Sequence, residues 1–444
     1  MSFLDNLIAA LPEVKPPTQK KLAFSEKVRW TAIILVLFFA LGLVPVYGLG
    51  QNTLAQFEFL STILGASFGS LVSLGIGPIV TASIVLQLLN GSGLVKFDLS
   101  SEQGKRRFQG LQKLLSVFFI ILESIIFVIT GALGAQPGMT EIVILQIIIG
   151  GLFILFMDEI VSKYGFGSGI SLFIAAGVSQ QIFLQLFNPL TSEAASIPSG
   201  HIIAILSALF TQTGTDVILS SFTIILATVI IYLIVVYVQA MKVEIPLSFG
   251  RVAGHGIRWP LNFLYANVIP IILVSALIAN FQLLSQMWPT LQPIFNWIQA
   301  PNILQAAFDG QLFSAGSLTI IGQAAIYMVI YMVGATVFSI FWVQTSGLDA
   351  SSQAQQMINS GLQIPGFRRD KRVLERMLKR YITPLTVMGG ISIGILATLA
   401  DLTGAIGTGT GLLLTVMIIY KLYEDIAKQH MYDMNPLMKK FMKF

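Results

Sequence analysis

Cysteine is absent from the 444 residues, which excludes disulfides, thiolate metal sites and a cysteine nucleophile. Charge is scarce: 11% of residues are Asp, Glu, Lys or Arg against 55% hydrophobic, and the mean hydropathy is +0.80. That is too apolar for a soluble globule, and no long polar stretch remains to bury a separate core. Histidine is scarcer still, with His201, His255 and His430 all outside the long apolar runs and no His-Glu-x-x-His anywhere. Ser168, in Gly165-Phe-Gly-Ser-Gly169, has no intramembrane His or Lys to activate it, so a Gly-rich helix entrance is the better reading of that segment. No Gly-x-x-x-x-Gly-Lys-Ser/Thr phosphate loop is present. The residues imply no enzyme, no metal and no cofactor.

Positive charge is missing from every second polar piece of the chain. Ten long apolar runs divide the sequence, and the pieces 49–73, 134–140, 189–216, 287–317 and 401–406 hold no Lys or Arg. The pieces 1–29, 95–113, 158–168, 241–262, 344–380 and 421–444 hold all 26, as 5, 5, 1, 3, 7 and 5. A bilayer imposes this alternation, because cytoplasmic loops accumulate Lys and Arg. The chain is therefore expected to cross a membrane ten times with both termini in the cytoplasm. The pI near 9.2 follows from those loops, which suit anionic lipid headgroups and leave cations for a negatively charged partner such as ribosomal RNA. Residues 1–23 lack an apolar core with a small-residue cleavage site, so no cleavable signal peptide is expected.

What is present is apolar and helical. Phe3, Leu4, Leu7, Ile8 and Leu11 share one face of a short amphipathic helix suited to the interface, stopped by Pro12, Pro16 and Pro17. Spans are expected near 30–47, 74–94, 111–133, 141–157, 169–188, 217–240, 263–286, 318–343, 381–400 and 407–427, each near the ~20 residues a helix needs. Trp30 and Tyr47 read as interfacial anchors of the first. Residues 54–65 are apolar but too short to span, and Gly65, Gly69, Gly75 and Gly77 lead from them into Pro78, where a helix can start. This reads as a half-inserted outer helix beside a wet cavity. Ten spans divide into five and five, N-terminal half 1–210 and C-terminal half 211–444. An odd number per half inverts the second, as an inverted repeat with a pathway between the halves requires.

Acidic residues inside the runs are few. Glu123 lies deep, Glu58 sits in the short outer segment, and Asp158 and Glu159 end the fourth span. Glu123 either joins a polar cluster with Thr81, Gln87 or Asn280 or serves packing alone; a lone buried Glu is a poor ion-coupling site. The spans are Ile, Leu, Val, Phe and Gly with few amides, unlike the wall of a small-solute pore. A small-solute secondary transporter is the alternative, supported by the span count and disfavoured by the missing charge; an intramembrane hydrolase lacks its catalytic pair. The outer stretch 287–317, with Trp288, Pro289, Trp297 and Pro301, reads as a structured loop or short interfacial helices.

Several segments together resemble one family. They are Leu74-Gly-Ile-Gly-Pro-Ile-Val-Thr-Ala82, Gln87-Leu-Leu-Asn-Gly-Ser-Gly93, Phe108-Gln-Gly-Leu-Gln-Lys-Leu-Leu115, Asp158-Glu-Ile-Val-Ser-Lys-Tyr-Gly165 and Gly167-Ser-Gly-Ile-Ser-Leu-Phe-Ile-Ala-Ala-Gly-Val-Ser-Gln180. Val243-Glu-Ile-Pro-Leu247, Gly250-Arg251, Leu378-Lys-Arg-Tyr-Ile-Thr-Pro-Leu-Thr386 and Gly407-Thr-Gly-Thr-Gly411 follow in order. The chain resembles SecY, the central subunit of the protein-conducting channel, in its archaeal branch. The resemblance implies an all-α membrane fold around a central pore, closed by a ring of Ile76, Val80, Ile170, Ile174, Ile272 and Leu414. It implies a re-entrant plug at 54–65, including Leu54, Phe57, Glu58, Phe59, Leu60, Ile63 and Leu64. It implies a lateral gate with Thr81, Glu123 and Asn280, beside which Gln87 is placed, opening toward lipid for signal sequences. The loops 241–262 and 344–380 would dock a ribosome through Arg251, Arg368, Arg369, Lys379 and Arg380. The implied partners are SecE-like and SecG/β-type small subunits, a ribosome or other cytoplasmic driver, and the nascent chains themselves.

Overall fold

Ten helices of 15 residues or more coincide one for one with the ten apolar runs. The structure, a computed structural model, describes residues 10–18, 22–49, 67, 69–91, 94–95, 97, 102–131, 133–190, 198–211, 215–249, 256–308, 310, 317–359, 362–363 and 370–434. The first five long helices are α1 (Phe24–Gly42), α2 (Gly77–Gly91), α3 (Glu102–Ile129), α4 (Thr140–Tyr164) and α5 (Gly169–Phe187). After a shorter α6 (His201–Thr211), α7 (Thr215–Ala240) opens the second set. A hairpin of β1 (Lys242–Phe249) and β2 (Gly256–Asn262) precedes α8 (Ile269–Met287), a 3₁₀ turn at Pro289–Leu291, α9 (Gln292–Ile298) and α10 (Ile303–Phe308). Then come α11 (Ser317–Thr345), α12 (Ala350–Asn359), β3 (Leu362–Gln363), α13 (Lys371–Leu402) and α14 (Gly409–Met434).

Six described stretches are long and apolar enough to cross a bilayer by themselves: Gln103–Ile129, Thr140–Tyr164, Gly169–Phe187, Thr215–Ala240, Ser317–Asn359 and Lys371–Leu402. The helix α2 falls short for a plain reason. Its 15 residues reach about 22 Å at ~1.5 Å each, against ~30 Å of hydrocarbon. Turns at 70–76 carry the chain the remaining way, and Pro78 sits in the first helical turn where its missing N–H costs nothing. The first span lies earlier than expected. It ends at Gly42 rather than Tyr47, because the residue before Pro45 is pushed out of helical geometry. Val46 and Leu71 then exchange main-chain bonds with Gly69 and Val44 (2.8 and 3.0 Å).

The packing repeats. Within the first set, α1 touches α4 and α5, α2 touches α3, α3 touches α4, and α4 touches α5. In the second set α7 touches α13 and α14, α8 touches α11, α11 touches α13, and α13 touches α14, with α8–α13 and α8–α14 added. These are the same pairings in the same order, so the two five-helix halves share one architecture. Small residues allow the closest pair: a Cβ at Gly390 or Gly394 of α13 would lie 2.8 Å from Thr336 Cα or Met332 Cα of α11. Pro384 lies inside α13, where its ring removes one main-chain N–H from the helix.

Two buried cores result. The larger unites apolar residues of all ten long helices, and a second one sits at the predicted cytoplasmic loops. There Ile245 and Leu261 of the hairpin pack with Ala354 and Met357 of α12 and with Leu374, Leu378 and Ile382 of α13. The three-stranded sheet, ordered β2-β1-β3, departs from the purely helical expectation. Its register pairs Val243 with Leu261 and Ile245 with Trp259. Lys242 at its root binds Glu424 of α14 (2.9 Å), a hydrogen bond that raises the ammonium's pKa above its usual range. The helical start of α13 was read as loop; Leu374, Leu378 and Ile382 recur every fourth residue and give it a buried face. The outer stretch 287–317 forms short helices, as one of its two readings held, with Phe295 and Ala306 buried.

Candidate functional site

Four helices meet in the larger core: α8 touches α2 and α14, and α14 touches α5. Each of the six ring candidates lies at or within two turns of the start of one of them. Ile76 and Val80 flank the first turn of α2, Ile170 and Ile174 face one side of α5, Ile272 is in the first turn of α8, and Leu414 is in the second turn of α14. Ile76, Val80, Ile174, Ile272 and Leu414 are 0–4% exposed and belong to one cluster, with half-buried Ile170 packed against it. The structure therefore brings all six into one aliphatic core. Such side chains offer neither donor nor acceptor to water or ions.

The positions are related by the repeat. Val80 follows Pro78 by two residues, and Ile272 follows Pro270 by two. Ile174 follows Gly169 by five, and Leu414 follows Gly409 by five. Pro78 and Pro270 start α2 and α8, and the two glycines start α5 and α14. The ring candidates thus form two matched pairs, each with one member from each half, with Ile76 and Ile170 added.

Beside it runs a chain of polar side chains. Asn280 Nδ2 of α8 donates to Thr81 Oγ1 of α2 (2.9 Å). Thr81 in turn lies 2.9 Å from both Glu123 Oε1 of α3 and the Gly77 carbonyl, sharing its one proton between them. Glu123 is 6% exposed, so the chain of bonds satisfies a carboxyl group that water does not reach. Glu123 thus bonds to Thr81, which also takes Asn280, an arrangement that both readings of Glu123 accommodate. A second bond, Gln112 Nε2 to Ser83 Oγ (2.6 Å), ties α3 to α2 nearby. Gln87 does not join: it is buried two turns further along α2, and its Oε1 has no partner among the described residues.

The other candidates separate by place. All seven plug residues, Leu54, Phe57, Glu58, Phe59, Leu60, Ile63 and Leu64, lie outside the described residues, as do Arg251, Arg368 and Arg369. Lys379 and Arg380 are exposed on the helical start of α13. Ser168 is the residue before α5, and the α5 amides are held by Asp158 Oδ1, which accepts from Ile170 N–H (2.9 Å). Among the described residues no group of three or more His, Asp and Glu is placed to hold a metal ion.

One polar centre escaped the sequence reading. Asp401, taken for part of a short outer turn, accepts Thr410 N–H and Tyr327 O–H (both 2.6 Å) and the Thr410 hydroxyl. Behind it Tyr331 stacks against Tyr327 and meets Ser275 Oγ of α8 at 3.3 Å. The signal available was the acid itself, lying between two apolar runs with hydroxyls on either side.

Comparison with known proteins agrees with this geometry. Residues 70–423 match the SecY family, and residues 36–69 match the plug domain of Sec61p. The protein translocase subunit SecY of Methanothermobacter thermautotrophicus is 43% identical over 98% of this chain and 97% of its own length. That of Methanocaldococcus jannaschii is 40% identical over 100% of both. Among solved structures, one described as the structure of a protein conducting channel superposes with a TM-score of 0.83 at 38% identity, covering 100% of both chains. Sec61 in the canine ribosome-channel complex from the endoplasmic reticulum gives 0.81 at 37%, again over 100% of both. With the family match at residues 70–423 and relatives 43% and 40% identical over 98% and 100% of its length, the chain belongs to the SecY family.

Proposed function

We propose that this chain is the pore-forming subunit of a protein translocase, passing secretory polypeptides through the Ile76–Leu414 ring and releasing membrane segments to lipid beside Thr81, Glu123 and Asn280. The observation that carries this reading is the convergence of six aliphatic side chains, from the starts of four helices, in one buried cluster. A closed aliphatic ring seals by dewetting and then yields to a chain of any side-chain chemistry, since it asks for no specific bond. The small-solute transporter falls away, because among the described residues the polar contacts beside the ring, Asn280 to Thr81 and Thr81 to Glu123, join α2, α3 and α8.

The reading extends to the parts around the ring. Halves 1–210 and 211–444 move against each other, residues 54–65 close the outer side as a plug, and both termini face the cytoplasm of a cell-membrane protein. Chemical work comes from a driving partner, a ribosome or another cytoplasmic machine, and the chain itself is no enzyme. Arg251, Arg368, Arg369, Lys379 and Arg380 present cations to that partner, and Gln87 is held in reserve along the gate helix. SecE-like and SecG/β-type subunits complete the complex. Ile174→Lys and Leu414→Glu place charges in the ring; proteoliposomes carrying either variant should leak ions that the parent retains. Equal conductance in parent and variants would remove the ring.

Each bond at the seam contributes about 0.6–2 kcal/mol in a membrane. Thr81→Val, with Asn280→Leu as its companion, should therefore shift the threshold hydrophobicity at which a signal segment enters lipid. An unchanged threshold in both would take these residues out of the gate.

A further inference from the structure

A cavity of about 460 Å³ opens between the starts of α5 and α8, the hairpin and the last turns of α14. We infer that it is a subsite of the translocation path, one that takes a bulky apolar side chain of the polypeptide before that residue reaches the ring. The inference rests on the channel reading and adds to it a preference for particular residues. Its position carries the first part. Ser171 and Leu172 of its wall lie between ring residues Ile170 and Ile174, Ile269 precedes Ile272 by one turn, and Ile418 follows Leu414 by one turn. Three of the four ring helices thus continue into the wall, so whatever passes the ring passes this opening.

The lining carries the second part. Phe166, Trp259, Tyr265 and Trp342 give the wall four aromatic side chains, which bury large apolar groups with little loss of their own freedom. The charged pair at the rim, Lys421 and Asp425, is engaged with itself at 3.4 Å, so the opening does not select for a charged ligand. A volume of this size is typical of sites for small organic groups, ~300–1,000 Å³, and a lipid headgroup would find no net charge to meet it.

The absence of cysteine gives a clean test. Ser171→Cys is nearly isosteric and places the sole thiol of this chain in the cavity wall. In membranes holding the full complex, translocating chains are arrested with a single cysteine at the mouth, flanked either by Leu and Phe or by two Ser. With a mild oxidant added to take up the two electrons and two protons, the apolar chain should form the disulfide adduct at least about threefold better, since burying such side chains is favourable. A thiol at exposed Gln355, outside the cavity, should show no such preference. Equal yields for both chains at Ser171→Cys, with both still translocated by the parent, would overturn the subsite and leave the channel standing. Failure of the parent to translocate either chain would overturn the channel reading on which the subsite depends.

Discussion

Two turns, 165–168 and 403–408, carry the chain from one long helix into the next, α4 into α5 and α13 into α14. Both reach their helix through Gly-(Ser or Thr)-Gly, Gly167-Ser-Gly169 and Gly407-Thr-Gly409, with φ of 72° at Gly167 and 76° at Gly407. Both pack the final glycine against the outgoing helix: a Cβ at Gly169 would fall 2.5 Å from Asp158 Cα, and one at Gly409 would fall 1.8 Å from the Ala400 carbonyl carbon. Both hold the first amides of the new helix on an aspartate of the old one. They differ in what else that aspartate meets. Asp158 meets main chain alone, whereas Asp401 also takes the hydroxyls of Tyr327 and Thr410 and, through Tyr331 and Ser275, connects α8, α11, α13 and α14. One device has been kept in both halves, and in the second it has become the centre of a four-helix lock.

The difference predicts unequal losses. Asp401→Ala removes charge-assisted bonds and leaves Tyr327, 1% exposed, with a hydroxyl facing no acceptor. The cost should be about 3–5 kcal/mol, read as the largest fall in thermal stability of the purified complex. Tyr327→Phe in the same background should then cost little more, because the two act on one bond. Full additivity of the two substitutions would break the lock apart. Asp158→Ala loses a helix cap and little else, for about 0.5–2 kcal/mol. An effect of Asp158→Ala as large as that of Asp401→Ala would erase the distinction between the turns.

Much of this was legible beforehand, in the features that a bilayer dictates. The missing cations located the turns and counted the helices, because the cost of moving Lys and Arg across hydrocarbon is independent of local conformation. Pro78 marked the start of α2 for an equally local reason. The matched turns were also in plain view as Gly-Ser-Gly and Gly-Thr-Gly, yet five residues of likeness per half do not register as a repeat until packing aligns them. Charge says which side a loop lies on and nothing of its shape, so the hairpin was read as loop. Its alternation of Val243, Ile245 and Leu247 with Glu244 and Ser248 was the signal for strand. The helix α6 at His201–Thr211 was hidden likewise, inside a stretch classed as outer loop by its lack of cations. Gln87 and Asn280 looked alike as lone amides in apolar helices, and only the packing of α8 on α2 gives one of them a partner.

The first half has a counterpart to the Asp401 lock, and it lies at the surface. Residues 12–15 run across the ends of α3 and α4. Lys113 binds the Pro12 carbonyl and Glu159 (2.6 and 2.7 Å), Val14 N–H meets Glu159 (3.1 Å), and Tyr164 O–H meets the Lys15 carbonyl (2.7 Å). Lys163 bridges Glu159 and Glu13 at 2.8 and 2.7 Å. Such pairs are weak singly, about 0.2–1 kcal/mol, and weaken further with salt. The two acids should nonetheless differ, since the Glu159 side chain is 15% exposed and that of Glu13 is 70%. Glu159→Gln should loosen residues 12–15, seen as faster hydrogen exchange at the Val14 amide that 0.5 M salt reproduces in the parent, whereas Glu13→Gln should change almost nothing. If the two substitutions act alike, shielding by the helix ends contributes nothing and the strap is only a surface contact. If Glu159 alone matters, the first half is fastened at its rim by partly buried charge, where the second is fastened at its centre by hydroxyls.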